Sequence, residues 1–465
     1  MLNTLVISPK ILREYDIRGI VGQDFDTKES YLIGKGYGTK VKRAGGSSVV
    51  VGYDGRLTSP NLEAALVDGL ASTGLRVLRV GLGPSPMTYF ASFHLESDAA
   101  VMVTGSHNPS SYNGFKMTFS KKPFFGEQIK ILGHDIAQGD FEEGQGSIEN
   151  FPIEEAYISY LVNDFISHYK SGKPLKVVWD IGNGATGNIV KSLVPKLPGE
   201  HILLNEEIDG TFPAHHPDPV VAENLSQLIR SVKAHQADLG FAFDGDGDRI
   251  GVVDAEGHII WGDQLLILLS EEVLKCYPGS TIIADVKASQ VLFNKIAEMG
   301  GVPLMWRTGH SLIKTKMAET GCRLAGEMSG HIFFADRHFG FDDALYAALR
   351  TLGAISTRKE SLSEWYKRLP LSINTPEIRF ECANHDKFFV ISQVRQALEA
   401  DQVSFISLDG VRVVNQHGWW LLRASNTTEE LVARVEANTL EGLEVLKKEL
   451  KAYLEKFSIS VYNLQ

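Results

Sequence analysis

The stretch Ala99–Lys116, AAVMVTGSHNPSSYNGFK, decides how the rest of the chain is read. It is apolar from Ala99 to Val103 and then changes abruptly to Thr104-Gly105-Ser106-His107-Asn108-Pro109. A short apolar run bounded by turn residues reads as a buried strand ending in a loop. Gly105 permits a tight turn, and Pro109 biases Asn108 toward extended backbone. Ser106 is therefore held at a strand end with little bulk around it. Two readings are open: a turn serine that bonds its own loop, or a serine presented for chemistry. A nucleophile elbow needs Gly-x-Ser-x-Gly, and Thr104 and Asn108 stand at the two glycine positions, which disfavours a hydrolase of that type. A phosphorylated serine would instead need a metal site and cationic groups elsewhere in the chain.

Both are present, spread along a long chain. With 465 residues, two to four domains are expected. A net charge of −11 argues against a nucleic-acid or membrane-surface binder, so positive charge for an anionic ligand must be concentrated locally. The three cysteines, Cys276, Cys322 and Cys382, are far apart and in no ligand spacing, which points to a reducing compartment and no zinc site. The opening residues MLNTLVISPKILREYDIRG lack a signal-peptide core, and no apolar run approaches about 18 residues. A cytoplasmic protein is expected.

Outward from the Ser106 loop, strand and helix patterns alternate: Val49–Gly52, a helix over Pro60–Thr73, Leu75–Val80, then Ala99–Val103. This is α/β patterning. Tyr15-Asp16-Ile17-Arg18-Gly19 reads as a charged turn, with Arg18 either a surface arginine or an anion contact. Lys116 follows Asn113-Gly114-Phe115 and is positioned to return toward the loop. The acidic, Gly-rich run 139–146 marks a boundary.

A second unit begins with a helix at Ile153–Tyr169 and a strand at Leu175–Ile181. Gly182-Asn183-Gly184-Ala185-Thr186-Gly187 then fits Gly-x-Gly-x-x-Gly, with Glu206 and Glu207 where a ribose-binding acid would stand. Tight strand-to-helix turns use glycine for packing alone, so no NAD(P) binding is expected. The stronger signal is Asp244-Gly245-Asp246-Gly247-Asp248-Arg249, between the apolar strands Leu239–Phe243 and Ile250–Val253. Three carboxylates at spacing two can turn onto one hard cation that offsets their mutual repulsion. Arg249 at the sixth loop position and Ala255 at the twelfth exclude an EF-hand. An oxygen-only set completed by a phosphate oxygen favours Mg2+, with Arg249 beside it suited to a phosphoryl group.

From about Glu256 a third unit runs through strands at Ser280–Asp285, Val302–Trp306 and Cys322–Ala325. These deliver Lys287, Arg307-Thr308-Gly309-His310 and Gly326-Glu327-Met328-Ser329-Gly330-His331. A carboxylate beside hydroxyl and imidazole groups can grip vicinal sugar hydroxyls. Three successive units thus present a Gly-rich polar loop after a strand, where such sheets bind ligands. From about Leu369 the texture changes. Glu377–Cys382, Phe388–Ile391 and Val403–Leu408 read as strands, Ser392–Ala400 as a helix, and Asp409–Val413 with Gly418–Leu422 as a β pair. Arg423-Ala424-Ser425-Asn426-Thr427-Thr428 is a small phosphate cradle, and a helix at Thr439–Phe457 closes the chain.

Thr-Gly-Ser-His-Asn-Pro, Asp-Gly-Asp-Gly-Asp-Arg, Gly-Glu-Met-Ser-Gly-His and Arg-Ala-Ser-Asn-Thr occur in that order in four successive units. Together they resemble the α-D-phosphohexomutases, most closely the bacterial phosphomannomutase/phosphoglucomutase branch. The resemblance implies three related α/β domains with mixed sheets (1–150, 151–255 and 256–368) and a C-terminal α+β, TATA-binding-protein-like domain (369–465) around a central cleft. It implies that Ser106 carries a phosphoryl group, that Mg2+ is held by that group with Asp244, Asp246 and Asp248, and that Lys116 and His331 are general acid and base. Arg18, His107 and Arg249 would support the transferring phosphoryl. Glu327 and Ser329 would hold sugar hydroxyls, with Tyr15, Lys287, Thr308, Gly309 and His310 lining the sugar and Arg423, Ser425, Asn426 and Thr427 gripping the other phosphate. The reaction implied is exchange of hexose 1- and 6-phosphates through a hexose 1,6-bisphosphate that also acts as activator, in a monomer or weak dimer. Glucosamine mutases typically carry Glu-Gln-Ser and another residue in place of Gly105, so Gly105 and Met328 favour mannose and glucose substrates. A non-catalytic sugar-phosphate binder on the same fold is the alternative of a different class.

Overall fold

Ala99–Val103 forms the strand that its apolar run predicts, with all five residues buried. It lies inside a mixed sheet whose order is Ile17–Ile20, Tyr112–Phe119, Ala99–Val103, Ser48–Tyr53, Arg76–Leu82, Ser147–Asn150. Ser48–Tyr53 pairs in parallel with both neighbours, whereas Tyr112–Phe119 returns antiparallel on Ala99–Val103. The computed structural model describes residues 7–457 and 459, apart from 371, 383 and 427.

The same device recurs twice. In the second sheet Leu239–Phe243 runs parallel to Leu175–Asp180 and is followed by the antiparallel strand Ile250–Asp254. In the third, Leu324–Gly326 runs parallel to Thr281–Asp285 and is followed by the antiparallel strand Ile332–Phe334. Each loop between a buried parallel strand and its return strand therefore emerges at the carboxyl end of a sheet, where open α/β sheets bind ligands. These three loops carry Ser106, the three aspartates, and Glu327 to His331.

Apolar side chains of all three sheets join in one continuous core, from Val50 and Leu78 through Trp179 and Phe241 to Ile282 and Leu349. The C-terminal part is built differently. Its strands Val411–Asn415, Gly418–Ala424 and Glu430–Ala437 are antiparallel, and Trp420, Leu422 and Val435 face a separate core shared with Val394, Leu450 and Leu454 of its two helices. Those helices are Asn384–Ala400 and Leu440–Glu455, the second opened by the Thr439 side chain accepting from Gly442 N–H.

Four expectations are corrected. Ile17–Ile20 is an edge strand with Arg18 opposite Gly114, where a charged turn was expected, because Tyr112–Phe119 offers it a free edge. Ile259–Ile260 still pairs with Ile250–Asp254, so the second sheet runs past the boundary expected near Glu256. Phe388–Ile391 lies in the helix Asn384–Ala400, not in a strand. The burial of Val390, Val394 and Leu398 at four-residue spacing overrides local β propensity there and leaves Phe388 and Phe389 exposed. Of Val403–Leu408 only Phe405–Ile406 is strand.

Candidate active site

Ser106 is buried and has φ +50°, in the left-handed region that a non-glycine residue enters at a cost of about 1–3 kcal/mol. Arg56 holds it there. The Arg56 guanidinium donates to the carbonyl oxygens of Ser106 (2.6 Å), Asn108 (2.6 Å), Pro109 (2.6 Å) and Tyr112 (3.0 Å), and its Nε donates to Asp54 Oδ2. All five of its N–H groups are thereby used. Asp54 in turn accepts from Thr104 Oγ1 at 2.8 Å and Ser59 Oγ at 2.5 Å. A Cβ at Gly105 would lie 2.6 Å from Arg56 Cζ and 2.8 Å from the Tyr112 carbonyl oxygen, so this clamp requires glycine there.

Ser106 Oγ donates to Asp244 Oδ2 at 2.8 Å and lies 3.2 Å from His107 Nδ1. A Cβ at Gly245 would stand 2.4 Å from the Ser106 carbonyl oxygen, so the serine and aspartate loops touch backbone to backbone. Asp244, Asp246 and Asp248 are fully buried, with a ligand atom of each within 4.8 Å of the others. Asp246 Oδ1 and Asp248 Oδ1 have no hydrogen-bond partner. Burial and the two neighbouring carboxylates push Asp244 well above the usual carboxylate range. Three buried carboxylates, two of them with an orphaned oxygen, fit a hard divalent cation. Lys116 partly fills that role, donating to Asp246 Oδ2 at 2.7 Å and to Asp248 Oδ2. Burial opposes its charge, but the two aspartates outweigh burial and raise it well above the usual lysine value. Against the same burial penalty, Lys116 and His331 hold Asp248 well below the carboxylate range.

The Gly-x-Gly-x-x-Gly turn serves this loop. Ala185 N–H donates to the Gly245 carbonyl oxygen at 2.9 Å, and a Cβ at Gly187 would meet the Glu206 carbonyl oxygen at 2.4 Å. Its glycines are explained by packing.

Arg18 and Arg249 flank the serine. Arg18 Nη1 donates to Asn108 Oδ1 and Nη2 pairs with Asp16. Arg249 Nε lies 3.4 Å from His331 Nε2. Burial, then Arg249 and Arg18, push His107 well below the usual histidine range. His331 Nδ1 faces Glu327 Oε2 at 3.1 Å and Ser329 Oγ at 3.1 Å, while Nε2 is 3.3 Å from Asp248 Oδ1. Burial would lower His331, yet Asp248 and Glu327 raise it to about 9. Glu327 Oε1 accepts from Gly309 N–H at 2.6 Å, and the Thr308 carbonyl accepts from Tyr15 Oη at 2.8 Å. His310 stacks on His331 with ring centroids 5.5 Å apart. Lys287 is paired with Glu377 at 2.8 Å.

In the C-terminal part, Arg423 Nε donates to Asp409 Oδ2 at 2.9 Å and Thr428 Oγ1 donates to Ser425 Oγ at 2.8 Å. Asn426 Nδ2 donates to Tyr15 Oη at 2.6 Å, joining this loop to the segment that precedes the strand Ile17–Ile20. Thr427 lies outside the described residues.

Four family models match along the chain, described as phosphoglucomutase/phosphomannomutase alpha/beta/alpha domains I (residues 9–143), II (155–257) and III (261–372) and C-terminal domain (377–452). The chain belongs to the phosphoglucomutase/phosphomannomutase family. It is 45% identical to a phosphomannomutase/phosphoglucomutase of Pseudomonas aeruginosa, over 95% of this chain and 96% of that protein. It is 41% identical to a phosphoglucomutase of Neisseria meningitidis serogroup A, over 97% of each. A crystal structure of a phosphoglucomutase/phosphomannomutase family protein from Burkholderia thailandensis superposes with a TM-score of 0.90, at 41% identity over 97% of this chain and 98% of that one.

Within this family fold, several residues that position the site escaped the sequence reading. Arg56 and Asp54 lie in Tyr53-Asp54-Gly55-Arg56, which had a legible signal: a charged pair in a turn directly after a buried strand. Lys387 Nζ donates to the carbonyl oxygens of Ser425 (2.6 Å) and Thr428 (2.8 Å), steadying that loop from a helix of which Phe388–Ile391 was read as strand. Arg412 is buried 3.7 Å over the Trp419 ring and donates to the Val286 and Ala288 carbonyl oxygens, docking the C-terminal sheet on the third. No helix among the described residues is long and apolar enough to cross a membrane.

Proposed function

We propose that the chain interconverts the 1- and 6-phosphates of mannose and glucose, with Ser106 carrying the phosphoryl group between them. The observation that carries this reading is Ser106 Oγ, 2.8 Å from Asp244, at the edge of a buried tri-aspartate cluster with unpartnered oxygens. Phospho-Ser106 donates to the free hydroxyl of a bound hexose phosphate. The P–O bond to Ser106 breaks, a P–O bond to the sugar forms, and the hydroxyl proton passes to a base. The resulting hexose 1,6-bisphosphate turns around and returns its other phosphate to Ser106.

Asp244, Asp246, Asp248 and phospho-Ser106 would hold Mg2+, which supplies neutralisation of charge on the phosphoryl oxygens. Arg18, Arg249 and His107 add positive charge and donors around the same group. Lys116 and His331 handle the proton. Raised to about 9, His331 is protonated near neutral pH, with Nδ1–H on Glu327 and Nε2–H toward Asp248, and suits the acid role. Glu327 and Ser329 grip sugar hydroxyls, with Tyr15, Thr308, Gly309, His310 and Lys287 around them. Arg423, Ser425 and Asn426, with Thr427, hold the phosphate that is not reacting, in either orientation of the sugar. Hexose 1,6-bisphosphate serves as activator by recharging Ser106. We place the protein in the cytoplasm, as a monomer or weak dimer without NAD(P), nucleic-acid or membrane partners, in keeping with its three free cysteines and acidic charge.

The test is a coupled assay for the 6-phosphates formed from glucose, mannose and glucosamine 1-phosphates, with Mg2+ and a trace of glucose 1,6-bisphosphate. Turnover of the first two, lost on chelation and in Ser106→Ala, is the expected result. Turnover of the glucosamine sugar alone would reassign the substrate. Binding without turnover would leave a sugar-phosphate binding protein.

A further inference from the structure

Beside the tri-aspartate cluster, the structure assembles a second donor set, which shares Asp248 and His331 with the proposed phosphoryl-transfer site and adds Asp342. Asp248, His331 and Asp342 are buried, and each offers a ligand atom within 4.8 Å of the others. Three atoms around this point have no hydrogen-bond partner: Asp248 Oδ1, Asp342 Oδ2 and His310 Nδ1. Asp342 is wholly buried and Lys314 pairs with its Oδ1, which leaves Oδ2 without a hydrogen bond and open to a second cation.

The spacing and the chemistry agree on the kind of cation. Zinc in a tetrahedral site sits about 2.0–2.2 Å from nitrogen and oxygen ligands, which places the ligands roughly 3.3–3.6 Å from one another. His331 Nε2 is 3.3 Å from Asp248 Oδ1 and 3.8 Å from Asp342 Oδ2, and His310 Nδ1 is 3.6 Å from Asp342 Oδ2. The other side of three of these ligands is already anchored. His331 Nδ1 faces Glu327 Oε2, Asp342 Oδ1 accepts from Lys314 Nζ at 2.9 Å, and Asp248 Oδ2 accepts from Lys116. Carboxylate behind imidazole is the usual outer support of a metal-bound histidine. Two imidazoles with two carboxylates suit zinc-like ions, whereas the all-oxygen set of Asp244, Asp246 and Asp248 suits Mg2+.

We infer that Asp248, His331, Asp342 and His310 form a second cation site, selective for Zn2+-type ions, which shares Asp248 with the first cluster. The incoming ion displaces the His331 Nε2 proton and the Arg249 Nε beside it. An enzyme loaded at this site loses His331 as a proton donor while its Mg2+ stays bound. The site is thus inhibitory, and extra Mg2+ does not relieve it.

The experiment uses the full chain, stripped with chelator, saturated with Mg2+ and titrated with Zn2+ and, separately, Co2+. One tight equivalent of either ion is expected on top of bound Mg2+, with the visible bands of four-coordinate Co2+. Asp342→Asn and His310→Gln are each expected to weaken that equivalent at least tenfold while Mg2+ uptake persists. Displacement of Zn2+ from the wild-type protein in proportion to added Mg2+ would overturn the inference, since both ions would then share one site. Retention of the Co2+ bands in folded Asp342→Asn would overturn it equally. Metal count and spectrum are read without turnover, so neither outcome depends on which sugar the protein uses.

Discussion

Arg56→Lys isolates the clamp that holds Ser106. The substitution keeps the positive charge and removes the fork. Arginine spends four N–H groups on the carbonyl oxygens of Ser106, Asn108, Pro109 and Tyr112, and lysine has three donors in all. At least one of the four carbonyls must go unpaired, and two must if the ammonium also keeps Asp54. At about 1–3 kcal/mol for each buried unsatisfied group, the loss is about 1–6 kcal/mol. Arg56 makes the largest set of bonds to this loop, beside those of Ser106 N–H to Thr104 Oγ1 and Ser106 Oγ to Asp244, so the loop at φ +50° gives way before the domain does. Hydrogen exchange should show the amides of Ser106 and Asn108 opening roughly 5-fold faster or more, at about 1.4 kcal/mol per factor of ten. The steady-state assay should show turnover falling roughly 100-fold, the penalty for displacing a reacting oxygen by about 1 Å. If Arg56 supplied only charge, Arg56→Lys would be nearly silent. Exchange and turnover both within about twofold of wild type would refute the clamp.

Gly245→Ala puts a Cβ 2.4 Å from the Ser106 carbonyl oxygen, backbone against side chain with nowhere to yield, and should separate the serine and aspartate loops. Loss of turnover with a destabilisation of about 1–3 kcal/mol, read by denaturant unfolding, is the expected outcome. Glu377 is held down at about 2, first by Lys287, so its pairing stabilises the docked C-terminal domain fully above its ordinary value of 4.5 and is lost as pH falls from there toward 2. Exchange at Ile378–Glu381 should therefore quicken over that window in the wild type and lack this component in Glu377→Gln. Arg412→Met strands the Val286 and Ala288 carbonyl oxygens and should loosen the C-terminal domain without unfolding the core of the other three, which small-angle scattering would register as a larger radius of gyration.

Chemistry was more legible in this sequence than packing. Ser106, the aspartate triplet and Glu327 to His331 could be read because each lies in a polar, glycine-punctuated loop directly after a short apolar run. The structure puts them at equivalent sheet ends for the same reason. Gly105 could be read as a tight turn, but not as the space for Arg56, 49 residues earlier in the sequence. Arg56, Lys387 and Arg412 act on backbone carbonyls of other elements, and such long-range acceptors leave no periodic trace in a sequence. The helix through Phe388 was misread because aromatic and β-branched residues imitate a strand until the opposing sheet selects Val390, Val394 and Leu398. The Gly-x-Gly-x-x-Gly turn shows the converse, a motif whose local form is fully present while its Gly184 and Ala185 backbone packs on the neighbouring aspartate loop.

The most direct measurement follows one phosphoryl group. The protein is charged with glucose 1,6-bisphosphate, freed of small molecules, and mixed with a single equivalent of mannose 1-phosphate or glucose 1-phosphate. Phosphopeptide mapping then reports the occupancy of Ser106 through the turnover. The expected result is phosphate on Ser106 alone, lost to the sugar as hexose 1,6-bisphosphate appears and recovered as the 6-phosphate is released. Phosphate on another residue, or turnover with Ser106 never modified, would contradict the proposed mechanism.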